Sequence, residues 1–340
     1  PVPSESARVA LLGTPSSVGC GHPLRPLLGV PSSATPRETA KSSRPPSIPH
    51  FRQATTTAPI ARRSVELGDG TSLDLVLVPA GQFVMGDAEG KSEEQPPSPV
   101  EIQQPFWLGI CEVTNRQYAC YDPTHDSRFE SKNGYQFGVT GFALNRPDQP
   151  VVRVSWHEAM GFCRWLSQRT GMQFTLPTEA QWEYACRAAA ASAFSFGDRG
   201  HDFSRFANVA DLKLREFATI PYAVYQPVAE FIKYDDWIPH DTRYSDDALV
   251  TVEVGRYQPN GWGLHDMHGN VAEWTRSQYR PYPYDADDGR EDESAEGPKV
   301  VRGGSWRDQP ADCRSASRWR YPEWQRVYNV GFRMAARAAE

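Results

Sequence analysis

Asp266, Gly269, Val271 and Glu273 lie in one short run that could hold a metal ion. Two carboxylates and two carbonyls from a glycine-bearing turn form an all-oxygen set, which suits a hard cation such as calcium with its roughly six to eight oxygen ligands. An ordinary surface turn with solvated acids has the same spacing, and the sequence leaves both readings open. His265 and His268 resemble a ligand pair but sit inside this acidic loop. The six cysteines, at positions 20, 111, 120, 163, 186 and 313, include no Cys-x-x-Cys and no zinc spacing. Their even number permits three disulfides, but in a domain of this size most are expected to be buried small apolar residues. Arg318-Trp-Arg-Tyr-Pro-Glu-Trp-Gln-Arg326 gathers two Trp, one Tyr and three Arg, the types that favour binding hot spots. Tryptophans in the core and arginines paired with acidic loops would look the same.

A chain of 340 residues buries a full core without staples. No apolar run approaches the ~20 residues of a spanning helix, so no membrane span is expected. A net charge of −6 argues against a sequence-independent nucleic-acid binder, which needs an excess of Lys and Arg for the phosphates. Positions 1–60 hold eleven of the 29 prolines, six basic and two acidic residues, and no Trp or Tyr. Such a composition buries too little apolar surface to offset its ordering entropy. It predicts a Pro/Ser/Thr-rich tail or linker over 1–66 and one folded domain over 67–338.

Within that domain, 73–86 reads as strand, Pro-Ala-Gly turn and strand, hence a hairpin, and 106–113 as a further strand. Thr114 with Gln117, Ser155 with Glu158 and Thr178 with Gln181 spell capping boxes, which predicts three helix starts. In the second helix Ala159, Phe162, Cys163 and Leu166 share a face, and Gly171 is placed to end it in a left-handed conformation. In the third, Trp182, Ala185, Cys186 and Ala189 form the buried stripe. Beyond Ala193 periodicity vanishes, and so irregular a stretch needs another source of order.

Six motifs occur in order: Val-Pro-Ala-Gly-Gln-Phe-Val-Met-Gly at 78–86, Glu-Val-Thr-Asn at 112–115, Pro-Val-Val-Arg-Val-Ser-Trp at 150–156, Leu-Pro-Thr-Glu-Ala-Gln-Trp-Glu-Tyr-Ala at 176–185, Asn-Gly-Trp-Gly-Leu-His-Asp-Met-His-Gly-Asn-Val-Ala-Glu-Trp at 260–274 and Arg-Gly-Gly-Ser-Trp at 302–306. Together they resemble the formylglycine-generating enzymes, or sulfatase-modifying factors, across nearly the whole ordered region. The resemblance implies an α+β, C-type-lectin-like formylglycine-generating-enzyme fold: a single domain, low in regular secondary structure, stabilised by two calcium ions. Carried over by position, one ion falls on Asp266, the Gly269 and Val271 carbonyls and Glu273. The other falls on Asn208, the Val209 carbonyl, Asp246 and the Ala248 carbonyl. Calcium at ordinary affinities suits an exported or periplasmic protein.

The resemblance also implies oxygen-dependent oxidation of a cysteine, within a Cys-x-Pro-x-Arg segment, to formylglycine by Cu(I) on two thiolates. Ser305 matches the active-site serine and Cys313 the second thiolate, but Asp308 stands at the first. A carboxylate is a hard ligand with little preference for Cu(I), so two-thiolate binding is lost. The expectation is therefore a binding module, with Trp306, Arg318, Arg320, Tyr321 and Arg326 receiving a peptide, protein or small molecule in a C-terminal groove. The alternative is a divergent oxidoreductase acting on thiols, with an altered copper or iron site of Ser305, Asp308 and Cys313. Met334 stands where disulfide-bearing members have a cysteine bonded to the position of Cys186, so a reduced, buried Cys186 is expected.

Overall fold

The computed structural model describes residues 60–128, 142–214 and 241–338. Its strands are β1 (Arg62–Gly68), β2 (Thr71–Val78), β3 (Gly81–Met85), β4 (Ser98–Ile102), β5 (Phe106–Gly109), β6 (Phe174–Thr175), β7 (Ala272–Gln278), β8 (Lys299–Arg302), β9 (Arg318–Tyr321), β10 (Val330–Gly331) and β11 (Ala335–Arg337). The helices are α1 (Asn115–Ala119), α2 (Trp156–Thr170) and α3 (Glu179–Arg187). Strand orders are β1-β2-β5-β11-β6, β10-β7-β8-β9 and β3-β4. Of the tail expected over 1–66, positions 1–59 lie outside the described residues. Arg62 to Glu66 belong to the domain, because they pair antiparallel with β2.

The hairpin expected over 73–86 does not form. Leu73, Leu75, Val76 and Val78 are all buried, so β2 is a central strand, flanked by β1 and β5. After Pro79 the chain leaves that sheet, and β3 pairs with β4. A Cβ at Gly81 would collide with the Tyr184 hydroxyl, so this turn lies directly against α3.

All three capping boxes are present. In each the Ser or Thr hydroxyl accepts the N3 amide, and the N3 side chain accepts the N-cap amide. Gly171 ends α2 at φ 75°. The anticipated faces are buried, apart from the half-buried Ala189. The two largest core clusters lie around α2, with Phe162, Leu166, Trp274 and Phe332, and around α3, with Trp182, Tyr184, Trp262 and Leu264. Met334 packs in the first cluster together with Cys163, whereas Cys186 belongs to the second. Cys186 is a free, buried thiol.

Between α3 and β7 the described residues contain a single 3-10 turn, Phe203–Arg205. Buried ion pairs tie the loops to the helices and sheets instead. Arg318 on β9 donates through Nε and Nη2 to the two Glu179 oxygens at 2.7 and 2.8 Å. Arg302 on β8 pairs with Glu183 and donates to the Ser315, Ala316 and Ser317 carbonyls. Arg314 reaches Glu94 at 2.7 Å. Burial disfavours a charged Glu183, but Arg187 and Arg302 hold its carboxyl below the usual range. Both acids come from the Thr-Glu-Ala-Gln-Trp-Glu segment of α3, which spaces them one helical turn apart on one face.

Removing one partner of such a pair leaves an uncompensated buried charge. Glu179→Gln is expected to cost about 3–5 kcal/mol, read from urea unfolding. Arg320→Ala, on an exposed side chain, is expected to stay within about 0.5 kcal/mol. Equal, small effects would contradict the structural role assigned to the pair.

Candidate functional site

The strand β8 delivers the chain into Gly303 and Gly304, at φ 92° and 69°, and then Ser305. A Cβ on Gly304 would collide with the Cys313 sulfur, which brings Ser305, Asp308 and Cys313 into one tight turn. Ser305 Oγ donates to Asp308 Oδ2 at 2.6 Å and accepts from Asn329 Nδ2 at 2.8 Å. Asp308 is partly buried, and burial pushes its carboxyl up against the opposing effect of Ser305. Cys313 is fully buried among Phe194, Phe203, Ala207 and Val209. Its sulfur lies 3.8 Å from the Asp308 carbonyl and 4.0 Å from that of Ser305. Burial, then Asp308 and Asp312, push the thiol well above its ordinary range. The three positions do converge, but as a hydrogen-bonded serine–aspartate pair beside a protonated thiol.

The five residues assigned to a ligand groove are dispersed. Trp306 is buried with Leu144, Val152, Ala210 and Val271. Arg318 is committed to Glu179, with its guanidinium 4.5 and 4.2 Å from the Tyr279 and Tyr282 ring centres. These two side chains serve the core, a correction to the groove assignment, because burial leaves neither reachable from solvent. Arg320 is exposed and stacks on Tyr279, and Tyr321 is half-buried, edge-on to Trp274. Arg326, 63% exposed, pairs with Glu158. It lines a cavity of about 510 Å³ with Asp122, His125, Asp126 and Arg153. Trp324 in the same turn is 71% exposed.

The Asp266 loop is wound by left-handed residues, Asp266 at φ 56°, Gly269 at 86° and Asn270 at 56°. A Cβ on Gly269 would strike the Asn208 carbonyl, so this loop and the Asn208 loop meet backbone to backbone. Asp266 Oδ2 accepts from the Gly255 amide at 2.6 Å, while its buried Oδ1 has no partner. Glu112 Oε1 accepts from Asn270 Nδ2 at 3.2 Å, and its buried Oε2 also lacks one. Burial pushes both carboxyls up; the Asp266 charge adds to this at Glu112, whereas the Gly255 amide, Arg333 and Glu112 oppose it at Asp266. Glu273 is differently placed: both oxygens accept from Arg333 at 2.7 Å, and Trp182 Nε1 adds a bond of 2.8 Å.

In the adjoining loop Asn208 gives its Nδ2 to the Val250 carbonyl at 2.9 Å, and its buried Oδ1 has no partner. Asp246 accepts from the Ala248 amide and from the Tyr257 hydroxyl. Asp211 lies against it, and burial followed by the Asp246 charge pushes its carboxyl up to about 7. Asn270 Oδ1 joins the loops by accepting from Asn208 Nδ2 and the Val252 amide. Among the described residues no three His, Cys, Asp or Glu side chains converge as metal ligands. A cation here would draw on amide and carbonyl oxygens as well.

The two histidines face different partners. His265 Nδ1 meets the Tyr257 carbonyl at 2.7 Å, and His268 Nδ1 the Cys313 carbonyl at 2.8 Å. Glu112 and Asp211 were not singled out by sequence reasoning. The one sits in the Glu-Val-Thr-Asn motif and the other three positions beyond Asn208, so adjacency to assigned positions was the available signal.

Residues 67–338 match the sulfatase-modifying factor enzyme 1-like domain. The chain belongs to this family. It is 26% identical to the formylglycine-generating enzyme of Bos taurus, over 95% of this chain and 87% of that protein. It is 25% identical to a Bos taurus protein named inactive C-alpha-formylglycine-generating enzyme 2, over 73% of this chain and 81% of the relative. Among solved structures it is similar to PvdO from Pseudomonas aeruginosa, with a TM-score of 0.63 and 24% identity, over 81% of this chain and 98% of that one. The fold is the α+β, C-type-lectin-like architecture of the family.

Burial and a raised pKa remove thiolate character, and with it nucleophilicity. Brief alkylation of the native protein at mildly alkaline pH, read by peptide mass, is expected to label half-buried Cys120 and to spare Cys163, Cys186 and Cys313. Labelling of Cys313 as fast as Cys120 would contradict this.

Proposed function

We propose that this domain is a calcium-stabilised member of its family that binds a peptide, protein or small-molecule ligand and does not oxidise cysteine to formylglycine with copper. The observation that supports this reading is Asp308. It occupies the first thiolate position, its carboxylate is engaged by Ser305 at 2.6 Å, and Cys313 is buried with its thiol pushed up. Cu(I) prefers soft sulfur donors, and one protonated thiol beside a hard oxygen is a poor substitute for two thiolates. The family also includes a protein named as inactive.

The partnerless buried oxygens of Asp266, Glu112 and Asn208 support calcium. Asp266, with the Gly269 and Val271 carbonyls, would hold one ion, and Asn208 and Asp246, with the Val209 and Ala248 carbonyls, the other; Glu273, whose two oxygens are engaged by Arg333, would stand behind the first ion rather than ligate it. Bound calcium supplies positive charge to buried oxygens and cross-links loops that lack secondary structure. The exposed Arg320, Trp324 and Arg326, with Tyr321, remain as the ligand-facing part of the C-terminal turn.

A Cys-x-Pro-x-Arg peptide incubated with the protein, Cu(I) and oxygen is expected to keep its cysteine, read by mass. Asp308→Cys supplies the missing first thiol and is expected to raise Cu(I) affinity by at least about tenfold. Conversion of the peptide by the wild-type chain would overturn the reading in favour of an oxidoreductase.

A further inference from the structure

The loop that carries Asn208 holds a carboxylate to which the family resemblance gives no role. Asp211 is buried, as are Asn208 and Asp246. Its Oδ1 accepts from the Lys213 amide at 2.8 Å, and its Oδ2 from the Asp246 amide. These bonds fix the carboxyl against the 241–248 segment, at the backbone of Asp246. Two described cations nearby have other partners. Lys213 Nζ pairs with Asp247 at 2.9 Å, and Arg256 Nη2 donates to the Asp246 carbonyl rather than to its carboxylate. Asn208 Oδ1 is a third buried oxygen in these loops, and it has no hydrogen-bond donor.

Two adjacent carboxylates in a low-dielectric interior repel unless a proton or a cation lies between them. The geometry points to Asp211 as an additional carboxylate ligand of the calcium ion held by Asn208 and Asp246. This inference rests on the calcium reading above and deepens it. With Asp211 the site gains a second negative charge, and calcium affinity rises with the number of charged ligands. A cavity of about 240 Å³, lined by Ser204, Arg205, Asp246, Arg256, Tyr257 and Gln258, links Asp246 to solvent and gives the ion a path of exchange. The Asp266 carboxyl is the matching acid of the neighbouring loop, and Asn270 bridges the two. An effect confined to one ion therefore separates ligation from general loosening.

The test is calcium titration of the chelator-stripped full chain, with bound metal counted by elemental analysis. Wild type is expected to bind two equivalents. Asp211→Asn keeps the shape, removes the charge and is expected to weaken one site about tenfold or more while the other is unchanged. Asp246→Asn should weaken the same site, and Asp211→Glu, which keeps the charge, should retain both ions. Circular dichroism in excess calcium, unchanged by Asp211→Asn, separates ligand loss from misfolding. Two equivalents at wild-type affinities in Asp211→Asn would overturn the role of Asp211 and leave the calcium reading standing. Absence of calcium from wild type would overturn both.

Discussion

A carboxylate taken out of water needs a positive charge or a proton, and this constraint organises the domain. Its regular structure is short, with three helices and mostly brief strands among the described residues. Apolar packing alone does not fix long loops whose backbone groups and side chains are largely polar. The chain therefore anchors them with buried acids, each of which must be answered. Glu179, Glu183, Glu94 and Glu273 are answered by Arg318, Arg302, Arg314 and Arg333. Every one of these pairs joins residues far apart in sequence.

Among the described residues, no arginine is hydrogen-bonded to the carboxyls of Asp266 and Glu112 or of Asp246 and Asp211. They lie side by side in two loops that touch through Gly269 and Asn208 and share Asn270. By the same physical rule, the proposed calcium ions would neutralise these two places. Asp308 illustrates the rule on a smaller scale. It is partly buried and accepts from the Ser305 hydroxyl, which only partly offsets the burial, in a turn where a pair of thiols would have made a soft-metal site. One residue thus changes the chemistry of the turn while the scaffold around it persists.

Much of this was legible in the sequence where local rules decide the outcome. The capping boxes at Thr114, Ser155 and Thr178 depend on residues three apart, and they form as the spacing predicts. The ordered motifs were sufficient for the family and its fold. Outcomes decided by distant partners were not legible. The segment 73–86 has the local marks of a hairpin, yet β2 is claimed by β1 and β5 because its apolar side chains need a central place in a sheet. Arg318 and Arg320 lie two positions apart on one strand. Only the acid on α3 reveals that the first is a core anchor and the second an exposed side chain. Asp211 and Glu112 carry no motif of their own, and their significance appears only when the loops are brought together.

The central claim is that the acids left without an arginine are neutralised by calcium. It is tested most directly by thermal unfolding of the full chain after chelation, with and without added calcium, alongside elemental analysis of the untreated protein. The account predicts retained calcium, a lower Tm after chelation and recovery of that Tm when calcium is restored. A Tm indifferent to calcium, with none bound, would contradict it.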